Sequence, residues 1–122
     1  VTEQKCNDRM TAGAMLLQEC RTRGFLEKYY KEIEYRFTEL YFVNTLFSYM
    51  LGAKHKKLAF VKKLKQGMVE AFPEFQDNEF YQQLTNEEEK QMIKMLMASA
   101  TKFFYYYGLK VEVRKLRKKM HI

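Results

Sequence analysis

The sequence predicts an all-α protein: an irregular bundle of about four to five helices around one long central helix. The 122 residues include one proline and five glycines, which is few for a loop-rich or all-β fold. Apolar residues recur at helical spacing through most of the chain. Hydrophobic residues make up 47% and charged residues 30%, a balance typical of globular proteins. Since this length suits one hydrophobic core, residues 1–122 are expected to form a single helical domain.

The first helix is predicted to begin near Asn7 or Asp8, either of which suits the N-cap position. Gly24 is the expected stop, because glycine readily adopts the left-handed conformation that commonly ends a helix. The predicted inward positions recur at helical spacing: Met10, Ala14, Leu17, and Cys20 or Arg21.

The second helix is predicted to run over residues 25–51 and to end at Gly52. At about 1.5 Å per residue it would be roughly 40 Å long, which is enough to form the spine of a bundle. One apolar stripe continues through the whole segment at helical spacing: Leu26, Tyr30, Ile33, Phe37, Leu40, Asn44, Phe47 and Leu51.

A third helix is predicted within residues 54–72, with its lysines directed outward. Its inward residues are predicted to be Leu58, Val61, Leu64 (or Lys65) and Met68. The periodicity then breaks at Pro73, the single proline. Residues 79–84 are expected to form one or two helical turns.

The next helix is predicted to begin at Thr85, which stands in capping-box spacing with Glu88. The acidic residues 87–89 suit the positive end of the helix dipole. Gly108 is expected to interrupt this helix, and residues 109–120 to resume as a last helix. The predicted inward residues are Met92, Leu96, Ala100 (or Ser99), Phe103 and Tyr107.

Basic residues concentrate in two patches within a net charge of +7. Residues 54–65 contribute +6 and residues 110–119 contribute +5, which leaves −4 for the rest of the chain. An anionic partner is therefore expected to bind at these patches. The candidate binding residues are Lys54, Lys56, Lys57, Lys62, Lys63, Lys65, Arg114, Lys115, Arg117, Lys118 and Lys119.

Five consecutive aromatic residues, 103–107, cover too much of a helix circumference for every ring to face one core. Phe103 and Tyr107 are predicted to point inward, one turn apart. Phe104 and Tyr105 are predicted to face a partner surface. Lys115, Lys118 and Lys119 are expected to extend into solvent beside that surface.

The small numbers of aspartate and histidine residues exclude most kinds of catalytic site. Aspartate occurs only at Asp8 and Asp77, so the chain has no D-x-D pair to hold a divalent metal against a nucleotide sugar. His55 and His121 lack partners at metal-ligand spacing. The acidic residues 87–89 are better explained as solvated charges at a helix N-terminus than as catalytic general acids. We expect a segment that is not catalytic by itself and holds no metal or cofactor.

Two stretches together resemble the helical region that follows the catalytic domain in bacterial family 2 glycosyltransferases. They are DRMTAGAMLLQECRTRGFLEKYYKEIEYRFTELYFVNTLFSYM and MVEAFPEFQDNEFYQQL. Such regions tend to carry a polar Asp-Arg pair, a Gly-aromatic step, a long aromatic-rich helix, a Phe-Pro-aromatic-x-x-Asn segment and a lysine-rich finish. The matching positions are Asp8 and Arg9, Gly24 and Phe25, residues 35–41, and residues 72–78.

The resemblance implies an accessory domain of an enzyme that transfers sugars from nucleotide donors in the synthesis of cell-envelope polysaccharide or glycolipid. Its catalytic α/β domain would lie before Val1, which fits a chain that is the C-terminal part of a longer protein. The implied location is cytoplasmic and peripheral on the inner membrane face, with the basic patches near anionic lipid. No catalytic residue carries over from the family.

The alternative is a stand-alone basic helical module that binds nucleic acid or a protein partner through the same patches. Nucleic acid is the less favoured partner, because the sequence has no helix-turn-helix spacing, RNA-binding fingerprint or zinc site.

Overall fold

A computed structural model describes residues 2–120, and within that range every regular element is helical. The all-α prediction is therefore confirmed, but the expected count of four to five helices is too low, since the described residues form seven. Their bounds are α1 Glu3–Thr22, α2 Phe25–Lys28, α3 residues 30–52, α4 Leu58–Ala71, α5 Glu79–Leu84, α6 Glu87–Ala98 and α7 Ala100–Met120, with a 3₁₀ turn at Phe75–Asp77.

The central helix α3 contains a π-helical segment, Thr38–Val43, between the α-helical segments Tyr30–Phe37 and Asn44–Gly52. It contacts α1, α4, α5 and α7, so the core is assembled around it. Thr45 donates its hydroxyl to the carbonyl of Leu40, five residues earlier, at 3.2 Å. That bond helps to satisfy a carbonyl in the widened turn.

The predicted stripe along the second helix is only partly correct. Phe37 and Phe47 are buried, whereas four of the other predicted positions are exposed: Tyr30, Leu40, Asn44 and Leu51. The helix also starts at Tyr30 rather than residue 25, because the backbone breaks at Tyr29 (φ −123°, ψ 39°). Beyond this break, the π segment rotates the following residues relative to a continuous 3.6-residue pattern.

Helix α1 begins earlier than predicted. The side chain of Thr2, not that of Asn7 or Asp8, accepts the N-terminal hydrogen bond, from the backbone N–H of Lys5 at 3.1 Å. Gly24 does follow the end of α1, with a φ of 73° that favours glycine.

The inward face of α1 also differs from the prediction. Gly13 is buried while Ala14 and Arg21 are exposed, and Cys20 is half-buried. The ring of Tyr41 occupies the space beside Gly13, where an added Cβ would lie 3.1 Å from Tyr41 Cβ. A small residue therefore brings α1 close to α3 at this point.

Helix α4 buries Val61, Leu64 and Met68 as predicted, while Leu58 is half-buried. Phe60, next to Val61, is also buried and stacks on Tyr49 at 4.1 Å between ring centroids. These contacts fix α4 against the second half of α3.

The segment after α4 folds back onto α3 through aromatic rings and one buried amide. Phe72 packs on Phe37 with ring centroids 5.4 Å apart, and Phe75 packs on Phe42 at the same distance. Asn78, 5% exposed, caps α5 by accepting the backbone N–H of Tyr81 at 3.0 Å.

The last two helices begin at caps that the sequence pattern did not single out. Asn86, not Thr85, caps α6 by accepting from the backbone N–H of Glu89 at 3.2 Å. Ser99, in extended backbone, separates α6 from α7 and accepts from the N–H of Lys102 at 3.1 Å. Gly108 lies inside α7, so the predicted interruption there is wrong.

The predicted inward residues of α6 and α7 are confirmed, although the helix breaks at Ser99 and not at Gly108. All five are at most 9% exposed: Met92, Leu96, Ala100, Phe103 and Tyr107. Tyr107 also meets Phe47 of α3 edge to face, with ring centroids 5.5 Å apart.

Candidate functional site: the basic end of the bundle and the adjoining groove

The first basic patch lies in the α3–α4 loop and on the outer face of α4. Three of its lysines form an ion pair or a hydrogen bond with a nearby group. Lys57 pairs with Glu3 at 3.6 Å, Lys63 Nζ donates to Asn7 Oδ1 at 3.2 Å, and Lys56 Nζ donates to the carbonyl of Ala53 at 3.1 Å. These bonds hold part of the patch against α1.

The remaining lysines of this patch differ in exposure. Lys65 is half-buried and donates to the carbonyl of Met97, at the C-terminal end of α6, at 3.1 Å. Lys54 and Lys62 are exposed, and no hydrogen bond or ion pair to another residue in the range 2–120 engages them. Those two are the side chains of the patch most available to a partner.

The second patch belongs to the C-terminal half of α7. Arg114 donates two hydrogen bonds to Glu88 of α6, from Nη1 to Oε1 at 3.1 Å and from Nη2 to Oε2 at 2.6 Å. Lys110 adds a contact of 3.3 Å to Glu88 Oε2. These hydrogen bonds, chiefly those from Arg114, lower the pKa of Glu88 to about 2. Arg114 therefore fastens α7 to α6.

The other basic side chains of this patch are exposed. Lys115 pairs with Glu112 at 3.7 Å, one turn away in the same helix. Arg117, Lys118 and Lys119 make no hydrogen bond or ion pair with any residue that the structure describes. They form a cationic end to the helix.

The C-terminal end of α3 lies beside the second patch. Leu51, 49% exposed, lines a groove of about 610 Å³ together with residues of α7. We call this the basic groove; its lining is Leu51, Val111, Arg114, Lys115, Arg117 and Lys118. Lys54 follows Leu51 by three residues, so the start of the first patch lies near this groove.

A second groove, which we call the α1–α3 groove, begins on the other side of Leu51. It also measures about 610 Å³, and its walls include Leu16 of α1 and Leu40 of α3, which are 48% and 43% exposed. Arg9 crosses one end and donates to Ser48 Oγ at 3.0 Å. Leu40 belongs to the π segment and faces this groove instead of the core.

The aromatic run divides differently from the prediction. Phe103 and Tyr107 enter the core as expected. Phe104 packs against the core rather than facing a partner surface, so its predicted placement is wrong. Tyr105 is 65% exposed as expected, and Tyr106 is exposed with it.

Within residues 2–120, no group of three or more His, Cys, Asp and Glu side chains is placed to hold a metal ion. His55 is exposed in the α3–α4 loop, and His121 lies outside the described residues. Across the same range, no helix combines the length and the apolar character needed to cross a bilayer.

The sequence interpretation missed the apolar side chains that accompany the basic ones on α7. Leu109, Val113, Leu116 and Met120 are all exposed, at intervals of four, three and four residues. This spacing is visible in the sequence as apolar residues that recur at helical intervals between the basic ones.

The chain matches no family model, no curated protein and no solved structure.

Proposed function

We propose that this chain is a helical accessory domain of a bacterial glycosyltransferase that uses nucleotide-sugar donors to build cell-envelope polysaccharide or glycolipid. A separate domain, encoded before Val1, performs the transfer. The helical domain supports that domain and places it at the anionic inner face of the membrane. The exposed cationic side chains among residues 115–119 of α7 provide the contact with lipid headgroups.

The observation that carries the proposal is how the segments named in the resemblance meet in the fold. Phe72 and Asn78 of the Phe-Pro segment both pack against α3. Phe72 contacts Phe37, and Asn78 Nδ2 donates to the Lys31 carbonyl at 3.0 Å and to Glu34 Oε1 at 2.8 Å. The matched residues therefore have a structural role in this domain. The proposal assigns the transfer itself to a separate domain that this one supports.

The surface that we assign to the catalytic domain is the α1–α3 groove. Leu16 and Leu40 leave apolar area exposed there, with Arg9 beside them. A partly apolar groove with polar groups at its rim is suited to a partner domain, because burying the leucines provides free energy and the rim provides orientation.

The proposal predicts that the isolated chain binds the domain encoded before Val1 when the two are produced separately. Replacing Leu16→Asp and Leu40→Asp together should weaken binding at least tenfold, because both changes bury charge in the contact. Isothermal titration calorimetry measures the difference. The matched control replaces Met15→Asp and Leu84→Asp, which are 68% and 64% exposed and lie outside the groove.

Two results would count against this assignment. Equal binding by the groove variant and the control variant would remove the groove as the docking surface. The absence of any nucleotide-sugar-binding α/β domain before Val1 would remove the transferase proposal itself.

A further inference from the structure

The end of α7 projects beyond the bundle. Val111, 2% exposed, is the last residue of the helix that enters the core, and residues 112–120 are all exposed. At about 1.5 Å per residue, this is more than 12 Å of helix whose side chains stay out of the core, although Arg114 pairs with Glu88 of α6. Such an end is free to meet a surface that the bundle itself does not provide.

The side of α7 that faces away from the core is apolar over four turns. With residues about 100° apart around the axis, its members fall within an arc of about 100°, opposite Val111. They are Tyr105, Tyr106, Leu109, Val113, Leu116 and Met120, with exposures of 65%, 49%, 67%, 39%, 58% and 76%. We call this set the outward face.

Cations border the outward face on both sides. Arg117 lies on one side of Leu116 and Lys119 on the other, by the same helical geometry. Residues 110–119 together carry +5, with Glu112 as the one acid. An apolar face with a basic border is the pattern of helices that lie in the interface of anionic membranes.

We propose that α7 lies parallel to an anionic bilayer and inserts its outward face between the lipid headgroups. The inference rests on the membrane contact in the proposed function and adds the face that enters the lipid. Leu109, Val113, Leu116 and Met120 reach the acyl boundary. The tyrosines suit the headgroup level, because each has an apolar ring and a polar hydroxyl.

A second copy of this chain fits the outward face less well. Coiled coils sustain their apolar stripe for at least three to four heptads, whereas the aliphatic positions here run from Leu109 to Met120. Pairing two such helices would also bring two segments of charge +5 together. Anionic lipid, in contrast, complements that charge.

Tryptophan fluorescence gives a direct test, because the chain contains no tryptophan. Leu116→Trp places a reporter on the outward face, and Leu84→Trp places one at a similarly exposed site, 64% against 58%, on α5. With vesicles of phosphatidylcholine and phosphatidylglycerol, emission from Leu116→Trp should shift to shorter wavelength, as expected when the indole leaves water. Emission from Leu84→Trp should stay unchanged.

Vesicle sedimentation of the 122-residue chain supplies the second readout. Leu109→Gln with Leu116→Gln should weaken binding to the mixed vesicles at least tenfold, because two leucines lose their apolar burial. The control pair Met15→Gln and Leu84→Gln should bind as the wild type does. Vesicles of phosphatidylcholine alone should bind weakly, and high salt should weaken binding to the mixed vesicles.

Several outcomes would overturn the inference. Binding without a shift for Leu116→Trp would show that charge alone holds the chain at the surface. Failure to bind the mixed vesicles would remove the membrane contact. A dimer that dissociates in the Leu109→Gln, Leu116→Gln variant would assign the face to a second copy. None of these outcomes bears on sugar transfer, which tests the proposed function separately.

Discussion

Phe37→Ala should lower the free energy of unfolding by about 3–5 kcal/mol, the range for an enclosed phenylalanine. Phe37 is 5% exposed and stacks on Tyr41 with ring centroids 4.5 Å apart. A second aromatic ring, that of Phe72, also packs on Phe37, with ring centroids 5.4 Å apart. Truncation would therefore leave a cavity where α3 meets the Phe-Pro segment. Midpoints of chemical denaturation measure the change.

Leu40→Ala is the matched control, because Leu40 lies on the same predicted stripe and in the same helix. It is 43% exposed, so its replacement should change the free energy of unfolding by about 0.5 kcal/mol or less. Comparable losses in the two variants would mean that Leu40 is enclosed by other residues and does not face the α1–α3 groove.

Asn78→Ala should cost about 2–4 kcal/mol, the second largest loss that we expect. The substitution removes the amide that donates to Glu34 Oε1 at 2.8 Å, and Glu34 is only 6% exposed. A nearly buried carboxylate would then lose a hydrogen-bond donor. The cap on the backbone N–H of Tyr81 is lost as well. Thermal and chemical unfolding measure the cost.

Asp77→Ala is the control for that experiment, since Asp77 is exposed and immediately precedes Asn78. It should be nearly neutral. A sharper variant is Asn78→Asp, which keeps an acceptor for Tyr81 but sets a second carboxylate against Glu34. Two carboxylates in direct contact repel, so this variant should lose stability even though the cap is kept. A neutral Asn78→Ala would show that the amide does not hold the Phe-Pro segment on α3.

The class of the fold could be predicted because apolar spacing and scarce helix breakers act locally. The inward residues from Met92 to Tyr107 were predictable for the same reason, even though Ser99 interrupts the helix between them. The break at Ser99 was missed because glycine disfavours a helix more strongly than serine does, so Gly108 was the predicted interruption. Ser99, however, supplies a hydrogen bond to the following turn, and α7 tolerates the glycine.

The errors along α3 have a different origin. A stripe drawn at constant spacing assumes one helical period from end to end, and the π segment Thr38–Val43 changes that period. The local propensities of these residues do not indicate a wide turn. The α1–α3 groove, which is lined by Leu40 of this segment, was therefore not predictable from constant spacing.

The sequence predicted which residues give the candidate site its charge, but it did not predict which contacts those residues make. Counting lysines and arginines identified both basic patches, but the role of Arg114 depends on the distant Glu88. Likewise, the outward face of α7 is a surface feature because it lies opposite the buried residues Phe103, Tyr107 and Val111.

Sugar transfer by the complete protein, compared with that of residues 1–122 alone, tests the proposed function most directly. The complete protein should transfer sugar from a nucleotide-sugar donor to a cell-envelope acceptor in the presence of manganese or magnesium. Residues 1–122 alone should neither transfer nor hydrolyse the donor, because Asp8 and Asp77 are the only aspartates and form no D-x-D pair. Turnover by the isolated 122-residue chain, or a complete protein that transfers no sugar from any nucleotide donor, would contradict the proposal.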